Sequence, residues 1–372
     1  MASSSSLPRR GVIIGKFLPP HLGHFHLIAS AARQVQELTV LVCTLKRECI
    51  PGRLRYEWLR EMCEELGPGV RVLHSDSEVP QEPHEDPNFY AIWREKIYAE
   101  APPPLDLLFS SEEYGWPLAR ALGCEHRPVD IGRVTIPVSA TKIRTEPAKH
   151  WAFVPVSVRP WMVKRVLLYG PESTGKTTMA ARLAQHYNTV WAPEWARLLL
   201  EKRNPQVVVA EDLPVIPREH LKLEDSLARQ SGPVMFIDSD PITTSIYANH
   251  FFGYCPAHIP LLGDKRHYHA RLLFTPEVAW VQDGQRDSEA GRNQLYRAFK
   301  QELERRNFPY TLIHGSDYES RFQQCVAVVD KLLQQPWEPL PEDAFITADE
   351  AEARVAASVS SAQLRSTADY SV

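Results

Sequence analysis

The chain has no run of apolar residues that could cross a bilayer, which takes about 20 in a helix. Its Ser-rich start, Met1–Arg10, lacks the apolar stretch of a signal peptide. It has no Cys-x-x-Cys pairing. The six cysteines, Cys43, Cys49, Cys63, Cys124, Cys255 and Cys325, are scattered, which argues for reduced thiols in a cytoplasmic protein rather than a disulfide framework or a metal knuckle. It lacks a positive excess: 42 Lys and Arg face 46 Asp and Glu, for a net charge of -4. There is thus no basic footprint for nucleic acid. No internal repeat is evident beyond two similar βα turns. At 372 residues the length suits two or three domains with sizeable cores.

What is present begins with Gly170-Pro171-Glu172-Ser173-Thr174-Gly175-Lys176-Thr177. This is a complete Gly-x-x-x-x-Gly-Lys-Thr loop between the apolar run Val166–Tyr169 and the helical pattern Thr178–Tyr187. Such a loop aims backbone N–H groups and a helix N-terminus at a polyphosphate. Lys176 is expected at the β- and γ-phosphates, and the Thr177 hydroxyl on Mg²⁺. Pro171 after the first glycine should stiffen the loop without abolishing binding. Asp238 and Asp240 close the apolar run Val234–Ile237, the edge where a phosphate-loop fold holds its metal-binding Asp.

A second phosphate site is expected near the start. The buried-strand candidate Val12–Ile14 leads into Gly15-Lys16-Phe17-Leu18-Pro19-Pro20-His21-Leu22-Gly23-His24 and the periodic Phe25–Ala32. Imidazoles three apart at a helix start can donate to one oxyanion. The spacing also suits a metal, but no cysteine or carboxylate companion lies close by. A partner segment, Ser139-Ala140-Thr141-Lys142-Ile143-Arg144, follows the strand-like Thr135–Val138 and adds hydroxyls and cations at another helix start. His267-Tyr268-His269 reads as surface histidines rather than a metal pair.

The pattern gives an α/β class: residues 1–10 a disordered N-terminus, 11–150 a βαβ unit, 151–164 a linker, 165–335 a second α/β unit, and 336–372 a disordered or weakly helical tail. Expected strands of the first unit are Val12–Ile14, Leu38–Cys43, Val70–Leu73, Leu105–Phe109 and Val134–Val138. Ser75–Asn88, rich in Pro and acid, reads as a flap over the first site. Asn204–Pro217 and Gly253–Asp264 read as irregular substrate-covering loops. The last core helix is expected at Tyr318–Leu333.

The early His motif and the Ser139–Arg144 segment resemble the signature pair of Rossmann-like nucleotidyltransferases. With the downstream phosphate loop, the chain resembles the bacterial bifunctional NMN adenylyltransferase / ribosylnicotinamide kinase family. Pro51–Leu59, Phe109–Gly115, Phe236–Asp240 with Thr243-Thr244, and Trp280–Arg286 carry further likeness, over roughly 11–335 and in the family's order. The resemblance implies an N-terminal nucleotidyltransferase domain and a C-terminal P-loop kinase domain, both with parallel sheets. It implies two reactions, phosphorylation of nicotinamide riboside by ATP and adenylylation of NMN by ATP to give NAD and pyrophosphate, with Mg²⁺. Some members carry an N-terminal DNA-binding domain; the first strand here begins too early to leave room, so no nucleic-acid partner is expected. Small-molecule substrates, no membrane insertion and an open question of homo-oligomers complete the partner expectations.

By the same resemblance His21, His24, Thr141 and Arg144 hold the ATP phosphates of the transferase, with Gly15, Lys16, Phe17 and Ser139 around the nucleotide; Lys16 reads equally as a surface lysine. Trp93 either stacks on the nicotinamide cation or packs in the core. Arg53 and Arg55 either hold the mononucleotide phosphate or form a solvated basic loop. In the kinase, Gly170, Glu172, Ser173, Thr174, Gly175, Lys176, Thr177 and Thr178 bind phosphate, and Thr177 and Asp238 take the metal. Trp195 and Arg197 stand beside the substrate. Either Glu194, placed by analogy with deoxynucleoside kinases, or Asp240 acts as base, and Arg286, with Arg292 as a second candidate, closes over the transferring phosphate. The alternatives are the same folds acting on another acceptor, and an ATP- or NAD-sensing regulator with one site decayed. The latter would lose Lys176, His24 or Arg144, and all three are present.

Overall fold

The structure is a computed structural model that describes residues 10–278, 289–341 and 343–368. It divides into two compact units, one of residues 10–159 with Pro336–Pro339, the other of 160–335 with the chain from Leu340.

In the first unit Arg10–Gly15 (β1), Glu37–Cys43 (β2), Val70–Ser75 (β3), Leu107–Ser110 (β4) and Glu125–Pro128 (β5) form one parallel sheet. The order is β3-β2-β1-β4-β5, so the chain reverses direction across the sheet beside β1. A crevice opens at that switch point beyond the carboxyl ends of the strands. Central β1 and β2 are continuous apolar runs, as strands covered on both faces must be. Ile13, Val40, Val42 and Phe109 are buried on one side with Leu27 and Ile28. Val12, Leu41 and Leu108 are buried on the other with Trp93 and Ile97.

The expected strand at Val134–Val138 is not a strand. Edge strand β5 lies earlier, in the polar Glu125–Pro128, whose residues are mostly exposed and so carry no apolar signal. The chain after it turns on Asp130, whose carboxylate accepts from the amides of Val134, Thr135 and Ile136.

In the second unit Lys164–Tyr169 (β6), Trp191–Ala192 (β7), Val234–Asp238 (β8), Ala270–Phe274 (β9) and Thr311–Ile313 (β10) form a parallel sheet in the order β10-β9-β6-β8-β7. Leu168 stands level with Asp238 in the β6–β8 register, which brings the end of β8 beside the loop leaving β6. The helices Lys176–His186 and Tyr318–Leu333 pack Met179, Leu183, Phe322, Cys325 and Val329 against this sheet.

Several connections are better packed than their composition suggests. Residues 151–164 are no open linker: Trp151, Val154, Val158, Trp161 and Met162 are buried. Gly253–Asp264 contains most of a helix, His258–Lys265, and Asn204–Pro217 runs through a short helical turn into Val215–Ala228. His269 is half-buried, and its Nδ1 accepts from the Arg165 amide at 3.0 Å.

Residues 336–372 read as a disordered or weakly helical tail; among the described residues a helix is present, and the stretch before and into it is packed. Within the second unit Leu340, Ala344, Ile346, Ala348 and Ala351 are buried, and a helix runs over Ala348–Ala368. Phe345 lies over the buried guanidinium groups of Arg165 and Arg266, at 4.5 and 4.9 Å. Acids of this stretch have partners: Asp343 pairs with Lys265 at 2.7 Å and Glu352 with Arg218 at 3.0 Å. A few large apolar residues among many small and charged ones suffice here because each finds a preformed partner. Composition averages over those few residues and cannot show it.

Candidate active sites

The early His motif builds its own support. His21 is the N-cap of the helix Leu22–Ala32, and its Nδ1 accepts from the amides of Gly23 (3.1 Å) and His24 (3.4 Å). His24 returns the contact, its Nδ1 accepting from the His21 amide at 3.2 Å. The two rings stack 3.6 Å apart, and Phe17 stands edge-on to His24. A ring whose Nδ1 is an acceptor carries its neutral-state proton on Nε2. Burial, and then the Arg133 guanidinium, lowers the His21 pKa to about 3. His24 is held well below 6.5 by burial, by His21 and by Arg133. Two neutral imidazoles therefore keep an Nε2–H donor each.

They line a cleft of about 710 Å³ with Gly15, Lys16, Phe17, Trp93, Tyr114, Arg133, Ser139, Thr141 and Arg144. Ser139 caps Ala140–Thr145, accepting from the Lys142 amide. Arg144 from that helix donates to the Leu18 carbonyl and, at 3.5 Å, to Thr141 Oγ1. The Trp337 amide donates to the Arg144 carbonyl at 2.7 Å. Gln81, Glu82 and Pro83 of the Pro- and acid-rich stretch also line the cleft.

Trp93 serves the core and the cleft together, buried and with its Nε1–H donating to the Pro80 carbonyl at 2.9 Å. The pair Arg53 and Arg55 is corrected. Arg53 is exposed, pairs with Glu57 at 2.8 Å and does not line the cleft. Arg55 is fully buried, bound to the Glu48 carboxylate at 2.6 Å and to the Lys16 carbonyl at 2.7 Å. It braces the nucleotide loop from behind and has no guanidinium face to offer a substrate. Arg133 and Tyr114 went unnoticed in the sequence. Arg133 sits alone in a loop without periodic signal, and Tyr114, whose hydroxyl donates to the Ile14 carbonyl at 3.1 Å, lay within a stretch marked only by likeness.

In the second unit the loop Gly170–Thr177 joins β6 to the helix Lys176–His186. Gly170 takes φ 134°, where a Cβ would meet the Phe274 carbonyl at 2.9 Å, and Gly175 takes φ 85° against the Tyr318 ring. Only glycine fits either place. Lys176 is buried and donates to the Pro171 carbonyl at 2.9 Å, so its ammonium lies folded against its own loop. Thr177 Oγ1 donates to Asp238 Oδ2 at 2.5 Å, and Asp238 Oδ1 is buried with no hydrogen-bond partner among the described residues. A hydroxyl beside a carboxylate with an unused oxygen is a donor set suited to a hard divalent cation.

The two base candidates separate clearly. Asp240 caps the helix Pro241–Phe252, its Oδ1 accepting from the Thr243 amide and Thr243 Oγ1, both at 2.8 Å. That is a structural commitment, which sets Asp240 apart from Glu194. Glu194 heads the helix Trp195–Glu201 without making a side-chain cap bond. Burial and the facing Asp238 raise its pKa, against the pull of Lys176. Trp195 follows it with a buried indole N–H that has no partner among the described residues, while Arg197 is exposed. Arg286 lies outside the described residues. Arg292 donates to the Ser173 carbonyl of the phosphate loop at 3.5 Å and to the Val278 carbonyl at 3.1 Å.

A family profile described as an AAA domain matches residues 165–321. The trifunctional NAD biosynthesis/regulator protein NadR of Escherichia coli (strain K12) is 29% identical over 87% of this chain and 83% of its own length. The protein of the same description from Salmonella typhimurium is 28% identical over 88% and 85%. Among solved structures, a NadR protein in complex with NR matches with a TM-score of 0.71 at 20% identity, over 90% of this chain and 99% of the other. That likeness is one of fold, and it spans both units.

Proposed function

The chain is a homologue of the NadR proteins, and on that premise we propose that it makes NAD from nicotinamide riboside in two ATP-dependent steps, one on each unit. The observation that carries the reading is a pair of phosphate cradles on one chain, each with the groups its reaction needs.

In the first unit the reaction is attack of the NMN phosphate on the α-phosphorus of ATP, with pyrophosphate leaving. The nucleophile is already an anion, so no base is needed, and catalysis reduces to position and charge. Neutral His21 and His24 suit this task. Their Nε2–H groups hydrogen-bond the phosphates without adding a proton to the leaving group, and Arg144, Arg133 and the Thr141 hydroxyl supply charge and further donors. Trp93 supports the nicotinamide end of the same cleft.

In the second unit the nucleophile is the neutral 5′-hydroxyl of the riboside. A carboxylate beside it accepts the proton late in transfer. Glu194, uncommitted and raised toward the proton-accepting range, suits that role, whereas Asp240 is spent on its helix. Lys176 would leave the Pro171 carbonyl to follow the β- and γ-phosphates. Thr177 and Asp238 would hold Mg²⁺, which when bound neutralises charge on the phosphates. The Trp195 indole N–H is a donor for the substrate beside Glu194.

The test is direct: purified protein with nicotinamide riboside, ATP and Mg²⁺, followed by chromatography. NMN and NAD should appear in sequence; conversion of neither riboside nor added NMN would overturn the proposal.

A further inference from the structure

Behind the phosphate loop lies an arginine that neither reaction uses directly. Arg321, in the helix Tyr318–Leu333, is fully buried. Its Nη1 donates to the Thr174 carbonyl at 2.9 Å, its Nη2 to the Thr275 carbonyl at 2.7 Å and its Nε to the Gly315 carbonyl at 2.5 Å. Every acceptor is a backbone oxygen, apart from a further contact to Thr275 Oγ1 at 3.1 Å. No carboxylate is paired with this guanidinium among the described residues; Glu277 acts on it only through its field. An ordinary structural arginine at this depth would have an acid beside it.

What these carbonyls do to the loop follows from peptide geometry. The peptide unit is planar and trans, so its C=O and the next N–H point in opposite directions. A Thr174 carbonyl held outward by Arg321 turns the Gly175 N–H inward. Arg292, approaching from the helix Glu289–Arg305, holds the preceding carbonyl, that of Ser173, in the same way, and this turns the Thr174 N–H inward. Two residues before Thr174 the pattern differs: the Glu172 amide is occupied by the Tyr247 hydroxyl at 3.2 Å. The two arginines thus act on two adjacent peptides just before the helix, where a nest of N–H groups grips an anion.

We infer that Arg321, assisted by Arg292, is a positioning residue that presets this nest, holding the Thr174 and Ser173 carbonyls out so that the Gly175 and Thr174 amides meet the polyphosphate without rearrangement. The same cation, lacking a carboxylate, is left for the bound phosphates to balance. The inference rests on reading the loop as a triphosphate site, and it goes beyond that reading by naming what shapes it.

The test uses the full chain with Arg321→Met and Arg321→Lys. Loss of one charge-oriented amide contact corresponds to about tenfold to a hundredfold in affinity. Arg321→Met should raise the KM for ATP in riboside phosphorylation by about that factor, with a smaller change in kcat. Inhibition by tripolyphosphate should weaken in parallel, while adenylyl transfer to added NMN stays at the wild-type rate and reports that the chain is folded. Arg321→Lys keeps the charge but not the fork, and should restore part of the loss. It also serves as the test variant if the methionine protein does not fold. A folded variant with lowered melting temperature but unchanged KM and tripolyphosphate inhibition would make Arg321 merely structural and overturn the inference. Heat protection by tripolyphosphate, measured in a His24→Ala background to silence the first cleft, separates the two ideas. Arg321-dependent protection without riboside phosphorylation would sink the proposed substrate and leave the inference standing.

Discussion

In the proposed reading the groups that meet phosphate in the first unit are side chains: two imidazoles, two arginines and a threonine hydroxyl. In the second unit the same reading uses mainly backbone amides, with one lysine added. The first arrangement needs its donors kept neutral and turned the right way, and it achieves both by spending Nδ1 of each histidine on the cap of one helix. The second needs its peptides turned, and uses carbonyl-holding arginines on the outside of the loop. Side-chain donors suit a reaction in which one anion attacks and another, pyrophosphate, leaves. An amide nest suits a triphosphate tail held while only its end is transferred. In both cases the group that sets the geometry stands one layer behind the group that touches substrate.

The largest way to break the comparison is to remove one donor from each side. Lys176→Ala should lower riboside phosphorylation by about 10²–10³-fold and leave adenylyl transfer to added NMN intact, and His24→Ala should do the reverse on the same scale. Paired assays on the two variants check this; a folded variant that loses both activities would end the division of labour.

Truncation after Leu333 comes next. It removes buried Trp337, Leu340 and Ile346, and at roughly 2 kcal/mol for each large apolar side chain the melting temperature should fall by several degrees. A truncated chain that melts with the full-length protein would show that the packing after residue 336 contributes nothing.

The pH response sharpens the contrast. The His21 pKa of about 3 and the still-depressed His24 predict no imidazole limb in adenylyl transfer between about pH 6 and 8, the range around the ordinary histidine value. Because both folded pKa values lie below the unfolded one, stability contributed by the neutral pair is present above about pH 6.5 and is lost as pH falls toward 3, the unfolded chain binding the extra protons. Glu194 is shifted upward, so riboside phosphorylation should lose activity on acidification before a normal carboxylate would. Rate profiles of the two half-reactions on one preparation test both statements.

The smallest effect is expected at Asp240. Asparagine also caps a helix well, so Asp240→Asn should keep kinase turnover within about fivefold, whereas Glu194→Gln should lower it by the 10²-fold or more typical of a lost proton acceptor. Equal losses, or the opposite order, would return Asp240 to the chemistry.

Much of this was legible from residue type and spacing. The Gly170–Thr177 loop and the His21–His24 pair are local motifs, and local motifs carry their own geometry. The edge strand Glu125–Pro128 and the buried Arg55, Arg165 and Arg321 were not legible. A polar strand shows no apolar alternation, and nothing in an arginine's neighbours along the chain tells whether it ends in water, on a carboxylate or on three carbonyls. What sets Asp240 apart from Glu194 is a residue three positions on, Thr243, whose amide and hydroxyl reach Asp240 only in the folded helix start.

The Trp337 amide bonds the carbonyl of Arg144 within a unit whose other residues end at Arg159. During synthesis on the ribosome, the Rossmann-like unit emerges first, yet the helix bearing Arg144 waits for a hydrogen bond from a residue translated only after the whole phosphate-loop sheet. The early unit can therefore form its sheet and its histidine pair co-translationally, but the arginine side of its cleft is finished last. A nascent chain stalled before residue 337 would carry the histidines without that final anchor. Completion of the first site is thus timed by a residue translated after the second sheet.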